Sequence, residues 1–438
     1  MDFEPSARSR DCAERVTRFI RERIAPAARA YRDELGAEQH GGEWRRWRQP
    51  TVMRELRAQA RAEGLWNLFL PDGELGAGLS TLDYAPVAEA TGHHLLAPEV
   101  FNCQAPDTGN MEVLWKYGSG EQRERWLRPL LAGEVRSVFC MTEPEVASSD
   151  ATNMQATILP DGEGAVVVDG RKWWTTNLGH PDAKVAIFMG RTPDPHQDRH
   201  HQHSMVLVPL DAAGVTIERM LPVYGDYDAP AGHGEVRFEN VRVPRADVIG
   251  GLGMGFEIAQ GRLGPGRIHH CMRCLGAAEA ALALMRERGT SRSAFGKPLL
   301  DLGGNRERLA EARIAIDQAR LLTLYAAWKL DRVGPHGAMK EISAIKVVAP
   351  RVLQRIVDDA IQLHGGAGLC NDLPLSGFFA QARSLRIADG PDEVHLALIA
   401  KLELRTQAGA ERRASGEARG GDRSEPHGYG RRRGESGG

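Results

Sequence analysis

What this chain lacks narrows its reading first. Six cysteines in 438 residues do not make a disulfide framework. The first thirty residues mix Arg with Glu and lack an apolar h-region, so no secretory signal is expected and a reducing, cytoplasmic setting is. No run of eighteen uninterrupted apolar residues occurs, so no membrane span is expected. An excess of one charge is also missing. The 56 Lys and Arg against 58 Asp and Glu leave a net charge of -2, which offers nucleic acid no global attraction. What is present is ordinary for a globular protein: 42% apolar and 26% charged residues, in a length that supports two or three domains and a large core.

Hydrophobic periodicity divides the chain. Val16, Phe19, Ile20 and Ile24 recur at helical spacing within 11–35, where Pro26 is expected to kink or end the first part. A second helix opens at Pro50 or Thr51 and carries Val52, Leu56 and Ala60; others follow from Leu82, over 107–117 and over 121–132. Residues 1–136 therefore read as a helical domain. The period changes near Val138. Val166–Val168, Val185–Met189, Met205–Val208, Val215–Ile217 and Val236–Phe238 are short β-rich runs between turns, which predicts a sheet or barrel domain over 137–250. Long helices return over 256–290, with breaks expected at Gly261, Gly264 and Pro265-Gly266. They continue over 305–333, over 338–363 with an interruption at Pro350, and over 376–388 and 391–405. Residues 251–405 thus read as a helical bundle. After Thr406 the composition is mainly Gly, Arg, Glu, Ser and Ala, and 406–438 are expected to be a disordered tail. Arg431–Arg433 suit a solvated tail or contact with an anionic partner.

Two polar blocks bracket the first strands of the middle region. One runs from Phe139 to Asp150 and holds Thr142 and Ser149; the other runs from Gly170 to Asn177 and holds Trp173, Trp174, Thr175 and Thr176. Neutral hydroxyl donors beside flat indoles suit a large planar ligand with carbonyls and ring nitrogens at its edge, such as a flavin. A surface meander with one buried Trp fits the same string. Gly250–Gly255 lacks the strand, spacing and acid of a dinucleotide fingerprint, and a flexible entry into a helix is the better reading. Cys271 and Cys274 have redox spacing but lie within a helix, which favours burial. His196, His200, His201 and His203 suit a solvent loop better than a metal site. His269, His270 and His364 read as core or interface residues or as pocket contacts. Asp389, just before Gly390-Pro391, reads as a helix cap or as a base.

Met141, Thr142, Glu143, Pro144, Ser149 and Asp150, with Lys172, Trp174, Thr176 and Asn177, resemble the flavin site of the acyl-CoA dehydrogenase family. The resemblance runs from about residue 10 to about residue 404. It implies an N-terminal all-α domain, a middle β-barrel, a C-terminal four-helix bundle and FAD as cofactor. It implies that Thr142 bonds the pyrimidine end of the ring, that Trp174 packs beside it and Thr176 approaches N5, and that Met141 belongs to the same site. Ser149 falls near the flavin or the acyl-CoA. Arg292, Phe295 and Gly296 match Arg-x-x-Phe-Gly-Lys, and Gln362, Gly365 and Gly366 match Gln-x-x-Gly-Gly. In the family these touch the FAD of a neighbouring subunit, so a homodimer or homotetramer is implied. Read locally, the same strings are a loop Arg and a glycine helix stop.

The string Ala-Asp-Gly-Pro-Asp-Glu-Val-His at 388–395 resembles the branch holding family members ten and eleven, where Asp replaces the commoner Glu. Asp389 is then the implied base, with Arg267 and Gly390 beside the substrate; Asp392 and Glu393 orient the next helix. The alternative family position falls at Gly266, which carries no carboxylate. Ala388, Pro391 and Ala380-Gln381 depart from the commoner residues, which bears on acyl preference and adenine contacts. An α-proton beside a thioester is weakly acidic, so the base is expected in an apolar pocket where its pKa rises. The implied activity is oxidation of a fatty acyl-CoA to the trans-2-enoyl-CoA, with an electron-transfer flavoprotein as acceptor. Two alternatives stay open: an oxidase resembling nitroalkane oxidase, which also uses Asp, and a DNA-associated flavoprotein suggested by the arginine tail.

Overall fold

The computed structural model describes residues 2–36, 42–194, 196, 198 and 201–414. The chain opens with helices α1 (Ala7–Phe19), α2 (Ala25–Leu35), α3 (Thr51–Ala62), α4 (Thr81–Gly92), α5 (Ala97–Val100), α6 (Asp107–Tyr117), α7 (Gly120–Gln122) and α8 (Arg128–Ala132). The first regular helix ends before Pro26, which falls in the opening turn of α2. Ile20–Ile24 form a π-turn, in which the Ala25 N–H donates to the Ile20 carbonyl. The wider turn accommodates a proline that has no N–H to offer. The same arrangement recurs at Arg123–Leu127, just before Pro129.

A curled sheet follows: β1 (Arg136–Cys140), β2 (Thr157–Asp161), β3 (Ala165–Thr176), β4 (Ala183–Arg191), β5 (His203–Pro209), β6 (Val215–Met220) and β7 (His233–Pro244). Its order is β1-β4-β2-β3-β7-β6, with β5 on β4. The predicted barrel takes the form of a half-barrel. Strand β1, absent from the predicted strands, pairs in parallel with β4. Phe188 and Phe238 meet edge to face at 4.7 Å in the sheet's core. The short hairpin β8 (Ser293–Ala294) and β9 (Lys297–Pro298) lies among the later helices.

The C-terminal bundle comprises α9 (Gly255–Ser291), α10 (Asn305–Gly337), α11 (Met339–His364), α12 (Leu375–Leu385) and α13 (Asp392–Ala414). Two expectations are corrected here. The breaks at Gly261, Gly264 and Pro265-Gly266 do not occur, because α9 is sandwiched between other helices whose packing overrides local propensity. A Cβ on Gly276 would lie 1.8 Å from the Glu89 carbonyl, and one on Gly92 would lie 2.2 Å from that of Arg273, so these glycines set how closely α4 and α9 cross. The last helix also continues past Thr406 to Ala414, where compositional collapse was expected to end it. The rest of the predicted tail, with Arg431–Arg433, lies outside the described residues. Among the described residues, no helix is long and apolar enough to cross a membrane.

A buried polar cluster joins the first helices to the sheet. Arg136 on β1 donates to Glu99 at 2.6 Å and to Asp107 at 3.1 Å. Asp107 also accepts from the Ser137 N–H and hydroxyl at 2.7 and 2.6 Å and from Asn177 at 3.1 Å. Gln49 donates to Glu99 at 2.9 Å. Arg136 is 3% exposed, so water cannot replace it. Arg136→Met strands two buried carboxylates. It is expected to lower unfolding free energy by roughly 3–5 kcal/mol in urea titrations; a loss below about 1 kcal/mol would refute the pairing's structural role.

Candidate active site

The two polar blocks of the sequence are joined directly. The Trp173 N–H donates to the Thr142 carbonyl at 3.0 Å. Lys172, fully buried, donates to the Met141 carbonyl at 2.9 Å and to Glu143 at 2.8 Å. Glu143 in turn accepts the Gln155 and Ala156 N–H groups at 2.7 and 3.0 Å. A charged pair thus pins the loop after β1 against β3.

A bulge then decides what β3 shows to its outer face. The β3–β7 register slips between Lys172 and Thr175, and Trp174 takes a φ of 50°. One extra residue reverses the alternation. Lys172 and Thr175 point inward, while Trp174, 44% exposed, and Thr176 are accessible. The Thr176 hydroxyl meets His233 Nδ1 at 3.0 Å. The Trp173 indole N–H is buried and has no hydrogen-bond partner among the described residues. These donors and the accessible indole fit the edge and face of a flavin. Ser149 lies exposed on the loop, next to Ser148, whose hydroxyl accepts the Glu143 N–H at 2.9 Å.

Asp389 lies between α12 and α13 with a φ of 55°. It is not a cap. Arg267 Nε donates to its carbonyl at 2.9 Å, and His395 Nε2 lies 3.3 Å from the same oxygen. The carboxylate faces His270 Nε2 at 3.5 Å and is 24% exposed. Burial pushes its pKa up, but His270, Arg262, Arg267 and Lys346 more than offset that, and it stands below the ordinary aspartate value. The expectation of a raised pKa in an apolar pocket is therefore corrected: basic groups surround this carboxylate and keep it ionised. Arg262 also links it to the first polar block, because its guanidinium lies 3.8 Å from the centroid of Phe139 on β1. Lys346, buried, donates to the Leu385 carbonyl at the end of α12. Asp392 orients α13 by accepting from Arg351 and Arg386, each at 2.9 Å.

Phe295 and Gly296 form the turn of the β8–β9 hairpin, with Phe295 94% exposed, and Arg292 stands at its open end just before β8. Gln362 is exposed near the end of α11, where Gly365, at a φ of 62°, stops the helix; Gly366 is exposed beside it. No hydrogen bond joins either group to the blocks on β1 and β3 among the described residues. Gly390, at a φ of 98°, brings the backbone so close that a Cβ would lie 3.0 Å from His395 Nε2. Cys271 and Cys274 are buried, and burial pushes the Cys274 thiol up to about 12, so they are packing residues. His203 is buried in β5, while His201 pairs with Asp198 at 2.9 Å; His200 lies outside the described residues. His269 packs edge-on to Tyr84 at 4.9 Å, and His364 Nδ1 meets the Ala360 carbonyl at 2.8 Å.

Sequence reasoning missed Arg262, Arg273 and Lys346. The signal was available on α9: Arg262, Arg267, His270 and Arg273 share one side of an unbroken helix. The expected breaks at 261–266 hid that stripe.

Three descriptions of one family match in series: the acyl-CoA dehydrogenase N-terminal domain over 6–134, middle domain over 138–241 and C-terminal domain over 253–404. The chain belongs to the acyl-CoA dehydrogenase family, a family of oxidoreductases. It is 51% identical over 407 residues to acyl-CoA dehydrogenase family member 11 of Rattus norvegicus, which covers 93% of this chain and 52% of that protein. It is 50% identical over 400 residues to family member 10 of Mus musculus, covering 90% of this chain and 37% of that one. The chain thus spans about half or less of the length of these curated relatives. Among solved structures, one from Mycobacterium abscessus, provisionally titled an acyl-CoA dehydrogenase, is 58% identical, with a TM-score of 0.89 over 92% of this chain and 100% of that one. Butyryl-CoA dehydrogenase from Megasphaera elsdenii is 25% identical, with a TM-score of 0.76 over the same shares.

Burial makes the site's surroundings acid-sensitive. It pushes His180 and His395 down to about 4 and His269 and His270 down to about 3. Their folded pKa values lie below the unfolded value, so the stability they contribute is present above about pH 6.5 and lost as pH falls toward the folded values. Burial also pushes Glu112 up to about 8, which has the opposite sign over the same range. Four histidines outweigh one carboxyl, each group contributing at most about 2 kcal/mol between pH 7 and 5. The urea midpoint is expected to fall from pH 7 to pH 5 at fixed ionic strength; a midpoint that rises or stays constant contradicts this assignment.

Proposed function

We propose that this chain oxidises a fatty acyl-CoA to the trans-2-enoyl-CoA with FAD, and that Asp389 removes the α-proton. One observation carries the reading: Arg262 spans from Phe139, at the head of the first polar block, to the electrostatic surroundings of Asp389. That contact supports reading the carboxylate and the slot for a planar ring as one site. FAD, when bound, supplies a two-electron acceptor for the hydride lost from the substrate β-carbon. Met141, Thr142, Ser149, Trp174 and Thr176 would hold and edge its ring. Arg292, Phe295, Gln362, Gly365 and Gly366 serve the rest of the FAD across a subunit boundary in a homodimer or homotetramer. Their exposure supports that reading, since a surface hairpin with a bare phenyl ring calls for cover.

Asp389 performs the proton step. Its carboxylate is ionised before substrate arrives, and Arg267 and His395 hold its backbone still. Its own N–H and Gly390 would receive the thioester carbonyl, and Ser149 would serve the CoA portion. The domains follow the ranges 1–136, 137–250 and 251–405, an electron-transfer flavoprotein takes the electrons, and the setting is cytoplasmic.

Asp389→Asn tests the base. Purified Asp389→Asn protein is expected to stay yellow. Its anaerobic bleaching by a panel of straight-chain acyl-CoAs is expected to slow by about 10²–10⁴-fold. Bleaching at the normal rate removes Asp389 from this role. Fast reoxidation by oxygen with stoichiometric peroxide favours an oxidase instead.

A further inference from the structure

We propose that His270 is the positioning residue for Asp389: its Nε2–H holds one carboxylate oxygen and leaves the other to take the α-proton. This rests on Asp389 being the base and adds the group that aims it.

The tautomer follows from Arg273. A guanidinium has only donors, and Arg273 donates to His270 Nδ1 at 3.1 Å. Nδ1 is therefore the acceptor, and the ring proton sits on Nε2, which faces the Asp389 carboxylate at 3.5 Å. Arg273 is itself fixed: it is 5% exposed and donates to the Cys103 carbonyl at 3.3 Å. The imidazole stays neutral because burial first, and then Arg273, oppose its protonation. A neutral donor steadies a carboxylate without neutralising it.

The other basic groups around Asp389 are engaged elsewhere. From α9, Arg267 donates to the Asp389 carbonyl, and Arg262 lies on Phe139 and donates to Asn110 at 3.3 Å. From α11, Lys346 donates to the Leu385 carbonyl. From α13, His395 meets the Asp389 carbonyl and, through Nδ1, the Ser343 hydroxyl at 3.2 Å. Among the described residues, His270 is the only basic side chain within 4.0 Å of the carboxylate oxygens. The backbone is thus held at one oxygen and the side chain at another, which leaves aspartate's short side chain little room to swing. A contact of 3.5 Å is longer than a finished hydrogen bond and shortens when substrate displaces water. In the proton step, the substrate Cα–H bond breaks and an O–H bond forms on the oxygen that His270 does not hold. The Cα–H electron pair becomes the Cα=Cβ bond, bound FAD would supply the acceptor for the hydride leaving the β-carbon, and His270 gains and loses nothing.

Glutamine and methionine differ little in shape, but only glutamine donates. His270→Gln and His270→Met are compared as FAD-loaded proteins by anaerobic stopped-flow bleaching across pH 5–9, using the straight-chain acyl-CoA that reduces the wild type fastest. His270→Met is expected to keep its flavin and its substrate affinity. Its reduction should slow about 10–100-fold throughout pH 5–9, because the ionised carboxylate loses the donor that aims it. His270→Gln is expected to stay within about fivefold of wild type over the same range. Equal losses in the two variants, or a His270→Met profile identical to wild type, would overturn the proposal. Should His270→Met fail to fold, ¹⁵N-imidazole spectra of the wild-type holoenzyme decide. The resonance lost in His270→Gln must report an Nε2–H tautomer, and an Nδ1–H tautomer overturns it. Asp389→Asn separates the two readings. If it is still reduced, the base assignment fails; if it is inert while His270→Met is normal, only the positioning role fails.

Discussion

The central constraint is the charge on Asp389. A carboxylate removed from water must be compensated or protonated. Here the compensating charge comes from α9 and α11, which deliver Arg262, Arg267 and Lys346 around it, with neutral His270 as a donor beside them. That requires α9 to run unbroken through Pro265, because a break there would separate Arg262 from His270 and Arg273. The close crossing at Gly92 and Gly276, and the burial of Ile268, Cys271 and Met272, keep it straight.

The ring slot depends on a second buried charge. Lys172 and Glu143 neutralise each other inside the sheet and tie the loop after β1 to β3. Without the bulge that follows Lys172, alternation would put Trp174 and Thr176 on the same inward side as the lysine. The register slip separates the two jobs. One face of the strand anchors the loop, and the other shows an indole and a hydroxyl. The cluster of Arg136, Glu99 and Asp107 then fixes the sheet against the first helices, and Asn177, just past the end of β3, belongs to it through Asp107.

Local chemistry explains which features were legible. The hydroxyl and Trp blocks, the change of period near Val138 and the Asp389 string are short, contiguous patterns, and each could be read where it stood. The breaks assigned to Gly261–Gly266 failed for a tertiary reason. Helix propensity is worth about 1 kcal/mol for Gly and about 3 for Pro, and burial of a long helix among others exceeds it. At Thr406 composition was equally misleading, because the helix begun at Asp392 carries on to Ala414.

The sequence alone determined the order of helices, sheet and helices, the positions of the two polar blocks, and the carboxylate before Gly390. These depend on residue type and near neighbours, which the chain states directly. Only the tertiary structure decided that Arg262, His270 and Lys346 face Asp389, that Arg273 selects the His270 tautomer, and that the pKa of Asp389 falls instead of rising. Those facts depend on groups brought together from distant stretches of chain. Electrostatic interaction varies with distance and burial, and neither quantity exists until the chain has folded.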